Sequence, residues 1–168
     1  MTELEQIISG DGAAAAPAFI LEGLTEELAH QCVAPAPHTI PLHTIFEELW
    51  HITFWQQVSL DWVLGLETAF PAHAAAGFPS EADLSEEWDQ LRKRFFQGNE
   101  DAAGVAKDSA RLDVLVRCPS RPGMPTRTMT VREQLENLGA HNHYHFGRIV
   151  LLRQLLGAWP PPSGGYSW

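Results

Sequence analysis

The chain has 168 residues, 45% of them hydrophobic, which is enough to bury most of its apolar surface as a single domain over residues 1–168. Its 11 lysines and arginines stand against 21 aspartates and glutamates, and the formal charge of -10 repels phosphate backbones and anionic membrane surfaces. We therefore expect neither a nucleic-acid nor a membrane partner, and because the amino terminus lacks a basic region and a hydrophobic stretch for secretion, we expect a cytoplasmic location.

The amino-terminal part of the chain predicts two short helical pieces. Thr2 and Glu5 have the Thr-x-x-Glu spacing of a capping box, and the helix that they open would end near Gly10. The second piece has an apolar stripe at helical spacing, formed by Ile20, Leu24 and Leu28. A proline-rich loop, APAPHTIP, separates these pieces from the rest of the chain.

The clearest helix signal lies in HTIFEELWHITFWQQVSLDWVLG, where Thr44 and Glu47 form a second capping box and Gly65 supplies a stop. This pattern predicts a helix from about Ile45 to Leu64. After a loop, apolar residues recur every three or four positions in SEEWDQLRKRFFQGNEDAAGVAKDSARLDVL, which predicts one long helix weakened by two internal glycines. Near its end, the run LDVLVR has some strand character.

A third capping box, Thr130 with Glu133, opens TVREQLENLGAHNHYHFGRIVLLRQLLG, whose apolar spacing predicts a helix that reaches Gly157. Together these elements predict an all-α fold, an antiparallel four-helix bundle. The tail over residues 158–168, AWPPPSGGYSW, cannot continue the helix because three successive prolines lack amide donors. Its aromatic side chains give it apolar material for docking on the bundle.

Three histidines fall within five positions of the last predicted helix, in AHNHYHFGRIV. Successive helical residues are rotated by about 100°, so His141 and His145 share one face, while His143 points toward the bundle surface or a partner subunit. A catalytic site for Zn²⁺ or a similar ion commonly takes three protein ligands and leaves one position open. The third ligand should come from a facing helix, and His51, which follows the interior phase of its helix, is the best candidate.

Two other interpretations of these residues compete with a mononuclear site. A single histidine on an apolar face is more often a hydrogen-bonded core residue than a ligand. A carboxylate-bridged di-metal bundle would use Glu-x-x-His spacings, and the sequence has two, Glu27 with His30 and Glu48 with His51. Because the di-metal arrangement leaves the histidine pair of the last helix without a role, the spacing favours the mononuclear site. Glu48, one turn before His51, is then the candidate for a fourth ligand or a general base.

The remaining reactive residue types indicate little else. Cys32 and Cys118 lie far apart and predict two unpaired thiols in a reducing compartment. His38, His43 and His73 lie in or beside loops and are predicted to face solvent. The sequence contains neither a Gly-x-Ser-x-Gly elbow nor a phosphate-binding glycine loop. A metal-bound water or a metal-bound thiolate is therefore the chemistry that best matches this chain.

The segments HTIFEELWHITFWQ and HNHYHFGRIVLLRQLLGAWPPPSGGYSW resemble the DinB/YfiT-like proteins, four-helix-bundle metalloproteins unrelated to the similarly named DNA polymerase. In that family, one histidine on the second helix and a His-x-x-x-His pair on the last helix bind a divalent metal, commonly zinc or nickel. The resemblance implies that His51, His141 and His145 are the metal ligands here. Arg148 departs from the family pattern, in which glutamine is frequent at that position.

The resemblance also implies a class of activity. Members with assigned activity resemble thiol-dependent transferases, in which the metal activates the thiol of bacillithiol, mycothiol or glutathione, and homodimers are common. We therefore expect a thiol-dependent S-transferase that acts on a small molecule. The alternatives are a metal-dependent hydrolase and a non-catalytic metal-binding or scaffold module with a structural ion. Trp55, Tyr144 and Arg148 are the expected substrate contacts, since aromatic side chains near the histidines suit a hydrophobic electrophile.

Overall fold

The computed structural model describes residues 1–10, 15–35 and 40–164, so His38, Tyr166 and Trp168 lie outside the described part. Helices dominate this part of the chain and confirm the predicted fold class. In chain order the elements are α1 (Glu3–Ser9), α2 (Pro17–Ile20), α3 (Glu26–His30), α4 (Ile45–Val63), α5 (Trp88–Lys107), β1 (Leu115–Cys118), β2 (Arg127–Thr130) and α6 (Val131–Leu155). Two 3-10 turns, Ala74–Gly77 and Asp83–Ser85, lie between α4 and α5.

Side-chain caps define the starts of α1, α4 and α6. Thr2, Thr44 and Thr130 each accept a hydrogen bond from the backbone N–H three residues later, and the glutamate at that position binds the threonine N–H in return. All three predicted capping boxes are therefore confirmed. A cap of this kind contributes about 1 kcal/mol to helix stability. Beyond the ends of α4 and α6, Gly65 and Gly157 adopt positive φ values that an L side chain would disfavour.

Two apolar clusters show the directions of the long helices. One cluster contains the first half of α4, the first half of α5 and the last half of α6, and the other contains the opposite ends of the same helices. Consequently α4 and α5 run in the same direction, and α6 runs antiparallel to both. The antiparallel arrangement expected for the bundle does not extend to α4 and α5, because the connection over residues 64–87 is long enough to return along the bundle.

Three short helices in succession form the fourth side of the bundle. α1 packs in the cluster at the end of α4, whereas α2 and α3 pack in the cluster at its start. The sequence predicted two helical pieces here, but Gly23, with φ of 70°, ends the second piece early and a new helix begins at Glu26. Leu21 and Ala29 are fully buried and fix this segment against the bundle.

The long helix predicted after α4 is shorter than expected, and a hairpin follows it. α5 continues unbroken through both glycines and ends at Lys107. Gly98 allows α4 to approach closely, because a Cβ at that position would clash with the side-chain amide of Gln56. The strand character of LDVLVR is confirmed from Leu115 onward, where β1 pairs with β2 in an antiparallel ladder. Whether such a run forms a strand depends on a second strand to pair with, and the periodicity of the run does not reveal that partner.

The described part of the tail docks on the bundle, as its aromatic content predicted. Trp159 packs edge to face against Phe19, with ring centroids 5.8 Å apart, and the guanidinium of Arg153 lies 5.5 Å from the Trp159 ring centroid. Arg153 also donates to backbone carbonyls of Ile20 and Ala158, which ties the tail to α2. Within residues 1–10, 15–35 and 40–164, no helix combines the length and the apolar content needed to cross a membrane.

Candidate metal centre

α4 and α6 bring three imidazoles together inside the bundle. His51 lies on α4, and His141 and His145 lie one turn apart on α6. One ring nitrogen from each of the three lies within 4.8 Å of the others, and Nε2 of His51 is 3.2 Å from Nε2 of His141. His51 and His145 are buried, whereas His141 is half-buried. The structure thus brings together the three residues that the sequence singled out.

Hydrogen bonds on the outer ring nitrogens fix the tautomers of two of these histidines. Nδ1 of His51 donates to the carbonyl oxygen of Gly77 at 2.7 Å, and Nδ1 of His145 donates to Oε2 of Glu48 at 2.7 Å. Because a carbonyl and a carboxylate can only accept, each ring carries a proton on Nδ1, and Nε2 is the nitrogen that can bind a metal. Metal-ligating histidines commonly show this outer arrangement, with the second nitrogen bound to a carboxylate or a carbonyl.

The donor set fits a divalent cation. Two nitrogens bound to one Zn²⁺ at about 2.0–2.1 Å and a near-tetrahedral angle are roughly 3.3 Å apart, and the Nε2 atoms of His51 and His141 are 3.2 Å apart. Burial lowers the pKa of His51 to about 4, despite the opposing hydrogen bond with Gly77. Burial also lowers the pKa of His141 to about 4, with His145 acting in the same direction. Both rings are therefore neutral at pH 7, the form in which imidazole binds metals.

Glu48 lies behind His145 and is fully buried. Its Oε2 faces His145, and its Oε1 accepts from Nε and Nη2 of Arg148, each at 2.8 Å. Burial acts to raise the pKa of this carboxyl, but the hydrogen bond from His145 and the charge of Arg148 outweigh it, so that the pKa lies below its usual value. The sequence suggested Glu48 as a fourth ligand or a general base, but in the structure both of its oxygens are engaged by these two donors.

The connection that follows α4 also contributes to the centre, through Gly77 and Phe78. The Phe78 ring stacks on His51 with centroids 4.1 Å apart, and His43 stacks on Phe78 with centroids 3.9 Å apart. A Cβ at position 77 would lie 2.9 Å from Nε1 of Trp55, so glycine permits the approach of this backbone to His51. His43, which was predicted to face solvent, is half-buried because Phe78 covers one side of its ring.

A cavity of about 240 Å³ opens beside the three histidines. His141 forms part of its wall, and Trp55, Trp62 and Phe70 supply an aromatic lining. The ring centroids of Trp55 and Phe70 are 4.9 Å apart, so this lining is continuous. Trp55, expected from the sequence to contact substrate, therefore lines this cavity next to His141.

The other two expected substrate contacts lie away from the cavity. Tyr144 is 62% exposed and meets His145 edge to face, with ring centroids 4.9 Å apart. Arg148 is half-buried and is held by Glu48, and its Nη1 lies 3.5 Å from the Tyr144 hydroxyl. Neither residue lines the cavity beside His141, because Arg148 contacts Glu48 near the start of α4 and Tyr144 lies beside Arg148 at the surface.

His143 lies on the opposite side of α6 from the other two histidines of this helix, as helix geometry predicts. It does not point to a free surface, however, because α1 covers that side of α6. Burial lowers the pKa of the half-buried His143, against a hydrogen bond with the backbone of Ile7 that acts to raise it. The prediction that His143 faces the bundle surface or a partner subunit is therefore wrong, while His73 is exposed as predicted.

The residues of the alternative di-metal arrangement do not assemble in the described part of the chain. His30 pairs with Glu26 at 3.0 Å, one turn earlier on α3, and Glu48 is engaged as described above. Cys32 is exposed and Cys118 is buried, and neither forms a disulfide with a described residue. Among those residues, the group with the spacing of metal ligands consists of the three histidines alone.

The comparison with protein families agrees with this geometry. The family model of the DinB superfamily matches residues 17–149, a range that begins at α2 and ends within α6. All three histidines, Glu48 and Arg148 lie in the matched range. No curated protein and no solved structure matches the chain. Because the family match covers most of the chain, this protein belongs to the DinB superfamily.

Proposed function

We propose that the protein is an enzyme that binds a divalent metal ion, zinc or nickel, through Nε2 of His51, His141 and His145. We further propose that it joins a low-molecular-weight thiol, through its sulfur, to a small electrophile. The observation that carries this proposal is the pair of outer hydrogen bonds, Nδ1 of His51 to Gly77 and Nδ1 of His145 to Glu48. A single buried histidine in a protein core needs only one hydrogen-bond partner. Here two rings are each held at Nδ1 and turn Nε2 toward a third imidazole, which is the arrangement of a set of metal ligands.

Three imidazoles leave part of a divalent ion's coordination shell to other ligands, which supports catalysis over a structural role. Structural zinc sites are usually closed by four protein ligands. Here the described residues supply three histidines and no fourth ligand, and His141 also lines the adjoining cavity. When bound, the ion would strongly favour the deprotonated form of a coordinating thiol and so make it nucleophilic at neutral pH.

The state of Glu48 favours thiol chemistry over hydrolysis. Hydrolysis would require a proton acceptor beside the attacking water. Among the described residues, Glu48 is the carboxylate that contacts the cluster, through His145, and both of its oxygens already accept hydrogen bonds from His145 and Arg148. We propose that Glu48 orients His145 instead of removing a proton. Thiol transfer needs no such base, because the thiol proton is lost to solvent on binding.

The transfer itself is a substitution in which a C–S bond forms between the thiol and the electrophile. The bond to the leaving group breaks, and the leaving group departs with its electron pair. The decisive assay uses metal-loaded protein, 1-chloro-2,4-dinitrobenzene, and glutathione, bacillithiol or mycothiol in turn. We expect thiol consumption and chloride release that are lost in His145→Ala and kept in His143→Ala. Ester hydrolysis that requires Glu48 but no thiol would refute the transferase and establish the hydrolase alternative.

A further inference from the structure

The cavity beside His141 combines an aromatic lining with a cationic group at its edge. Arg127 lines this cavity and also a second hollow that contains Arg121. In the β1–β2 ladder Arg127 lies opposite Cys118, which is fully buried. Opposite residues of an antiparallel pair project from the same face, so Arg127 projects toward the side of the hairpin that packs on the bundle.

Arg127 has no acidic partner within the described part of the chain. Its counterpart on the other face of the hairpin, Arg117, forms an ion pair with Glu67 at 2.8 Å. Arg121 is likewise without an ion pair among the described residues. In a protein with a formal charge of -10, the unpaired guanidinium of Arg127 at the edge of the cavity, with Arg121 in the adjoining hollow, forms a local site of positive potential. The charge of this edge is therefore complementary to an anionic group.

A buried hydroxyl inside the cavity provides a second polar contact. Ser59 is 4% exposed, lines the cavity and accepts a hydrogen bond from Nε2 of Gln134 at 3.0 Å. The amide oxygen of Gln134 in turn faces Sγ of Cys118 at 3.7 Å, which fixes the orientation of the amide. The Ser59 hydroxyl proton has no acceptor among the described residues, so it is free to donate to a ligand.

We propose that this cavity binds the electrophilic co-substrate as a flat, apolar carboxylic acid of about the size of one substituted aromatic ring. The ring would lie against Trp55 and Phe70, and the carboxylate would lie at Arg127. An apolar cavity of about 150 Å³ can accept benzene, so a volume of about 240 Å³ leaves room for a carboxylate and a leaving group. The reaction of the bound acid with a thiol rests on the proposed function, whereas the binding of the acid in this cavity does not.

The position of His141 explains how such a ligand would meet the thiol. Because His141 belongs to the three-histidine cluster and also lines the cavity, a molecule in the cavity lies in contact with the cluster. With 4-chloro-3-nitrobenzoate, the thiolate sulfur would form a C–S bond at the carbon that carries chlorine. Chloride would leave with the C–Cl electron pair, and the thiol proton would go to solvent. Neither an oxidant nor a reductant is required.

Binding of an unreactive probe tests the assignment without any turnover. Benzoate and its neutral analogue benzamide would be titrated into metal-loaded and chelator-treated protein, by calorimetry and by tryptophan fluorescence. We expect benzoate to bind more tightly than benzamide in both forms, and Arg127→Gln to weaken benzoate binding about tenfold, since a charged hydrogen bond is lost. Arg117→Gln removes the same charge from the other face of the hairpin and should leave binding unchanged.

Benzoate binding that needs the metal and is unaffected by Arg127→Gln would overturn the assignment, because the carboxylate would then be a ligand of the ion. Turnover provides the separate test of the reaction, through the preference for 4-chloro-3-nitrobenzoate over its amide with a thiol. Arg127→Gln should lower this preference about tenfold, whereas Arg117→Gln should not. If benzoate binds through Arg127 but no thiol is consumed, the transferase proposal fails and the cavity assignment stands. If thiol is transferred with no preference for the acid over its amide, the cavity assignment fails and the transferase proposal stands.

Discussion

The substitution Glu48→Gln tests how the outer hydrogen bonds control the three histidines. The substitution keeps the size of this fully buried side chain. It replaces a carboxylate, whose two oxygens accept from His145 and Arg148, by an amide with a single carbonyl oxygen. If the new NH₂ faces His145, the ring must accept through Nδ1 and carry its proton on Nε2, the atom that faces the cluster. If the NH₂ faces Arg148 instead, two donors oppose each other and the side chains must separate.

Either outcome weakens the ligand set at His145. Substitution of the outer partner of a metal-binding histidine typically costs about 10–100-fold in metal affinity, which corresponds to about 1.4–2.7 kcal/mol. We expect a value in the upper half of this range, because Glu48 is fully buried and neither its carboxylate nor the Nδ1 proton of His145 can turn to solvent. In the metal-free protein, the unsatisfied buried donor should also reduce the free energy of unfolding by about 1–3 kcal/mol.

The affinity would be measured at pH 7 by competition with a chromophoric zinc chelator. Glu136→Gln is the matched control, since Glu136 is exposed on α6 and the same charge is removed from the same helix pair. Circular dichroism would show that both variants keep their helices. If Glu48→Gln binds zinc as tightly as the wild type while the fold is intact, the proposed orienting role of Glu48 is wrong.

Three further predictions concern the surroundings of the centre. Gly77→Ala should lower zinc affinity severalfold, because the new Cβ would lie 2.9 Å from Nε1 of Trp55. Gly147→Ala is the control, since open space surrounds that position, and equal zinc affinities of the two variants would contradict the steric reasoning. In metal-free protein, the free energy of unfolding should fall as pH decreases from about 6.5 to about 4, because His51 and His141 bind protons in the unfolded chain at pH values where the folded protein keeps them neutral. The shift of the His51 pKa alone corresponds to about 3 kcal/mol. Urea unfolding that shows the same pH dependence in His51→Gln would exclude this cause. The homodimer implied by the family resemblance predicts twice the monomer mass in sedimentation equilibrium, and a monomer at all concentrations would contradict it.

Much of this fold follows from signals that act within a few residues of sequence. The three capping boxes located the starts of α1, α4 and α6 because each is a local hydrogen-bond pattern. Helix phase placed His141 and His145 on one side of α6 and His51 toward the interior of α4, and the structure brings these rings together. The parallel course of α4 and α5 was not predicted, because helical periodicity carries no information about how distant helices pack.

The outer part of the centre could not be predicted for the same physical reason. Gly77 and Phe78 lie in a loop, and their roles arise only when the connection folds back over His51. Glu48 was identified from its spacing to His51, yet its actual partners are His145 and Arg148, which lie on α6 about a hundred residues later. Contacts between distant segments depend on packing, and the sequence pattern of either segment alone does not encode them.

The metal content of the purified protein tests the central claim most directly. After equilibrium dialysis against zinc, the wild type should retain one ion per chain, measured by atomic emission with protein quantified by amino-acid analysis. His51→Ala, His141→Ala and His145→Ala should each lose it, whereas His143→Ala should retain it, because that ring lies on the opposite side of α6 against α1. Loss of the ion in His143→Ala together with its retention in His145→Ala would contradict the three-histidine centre.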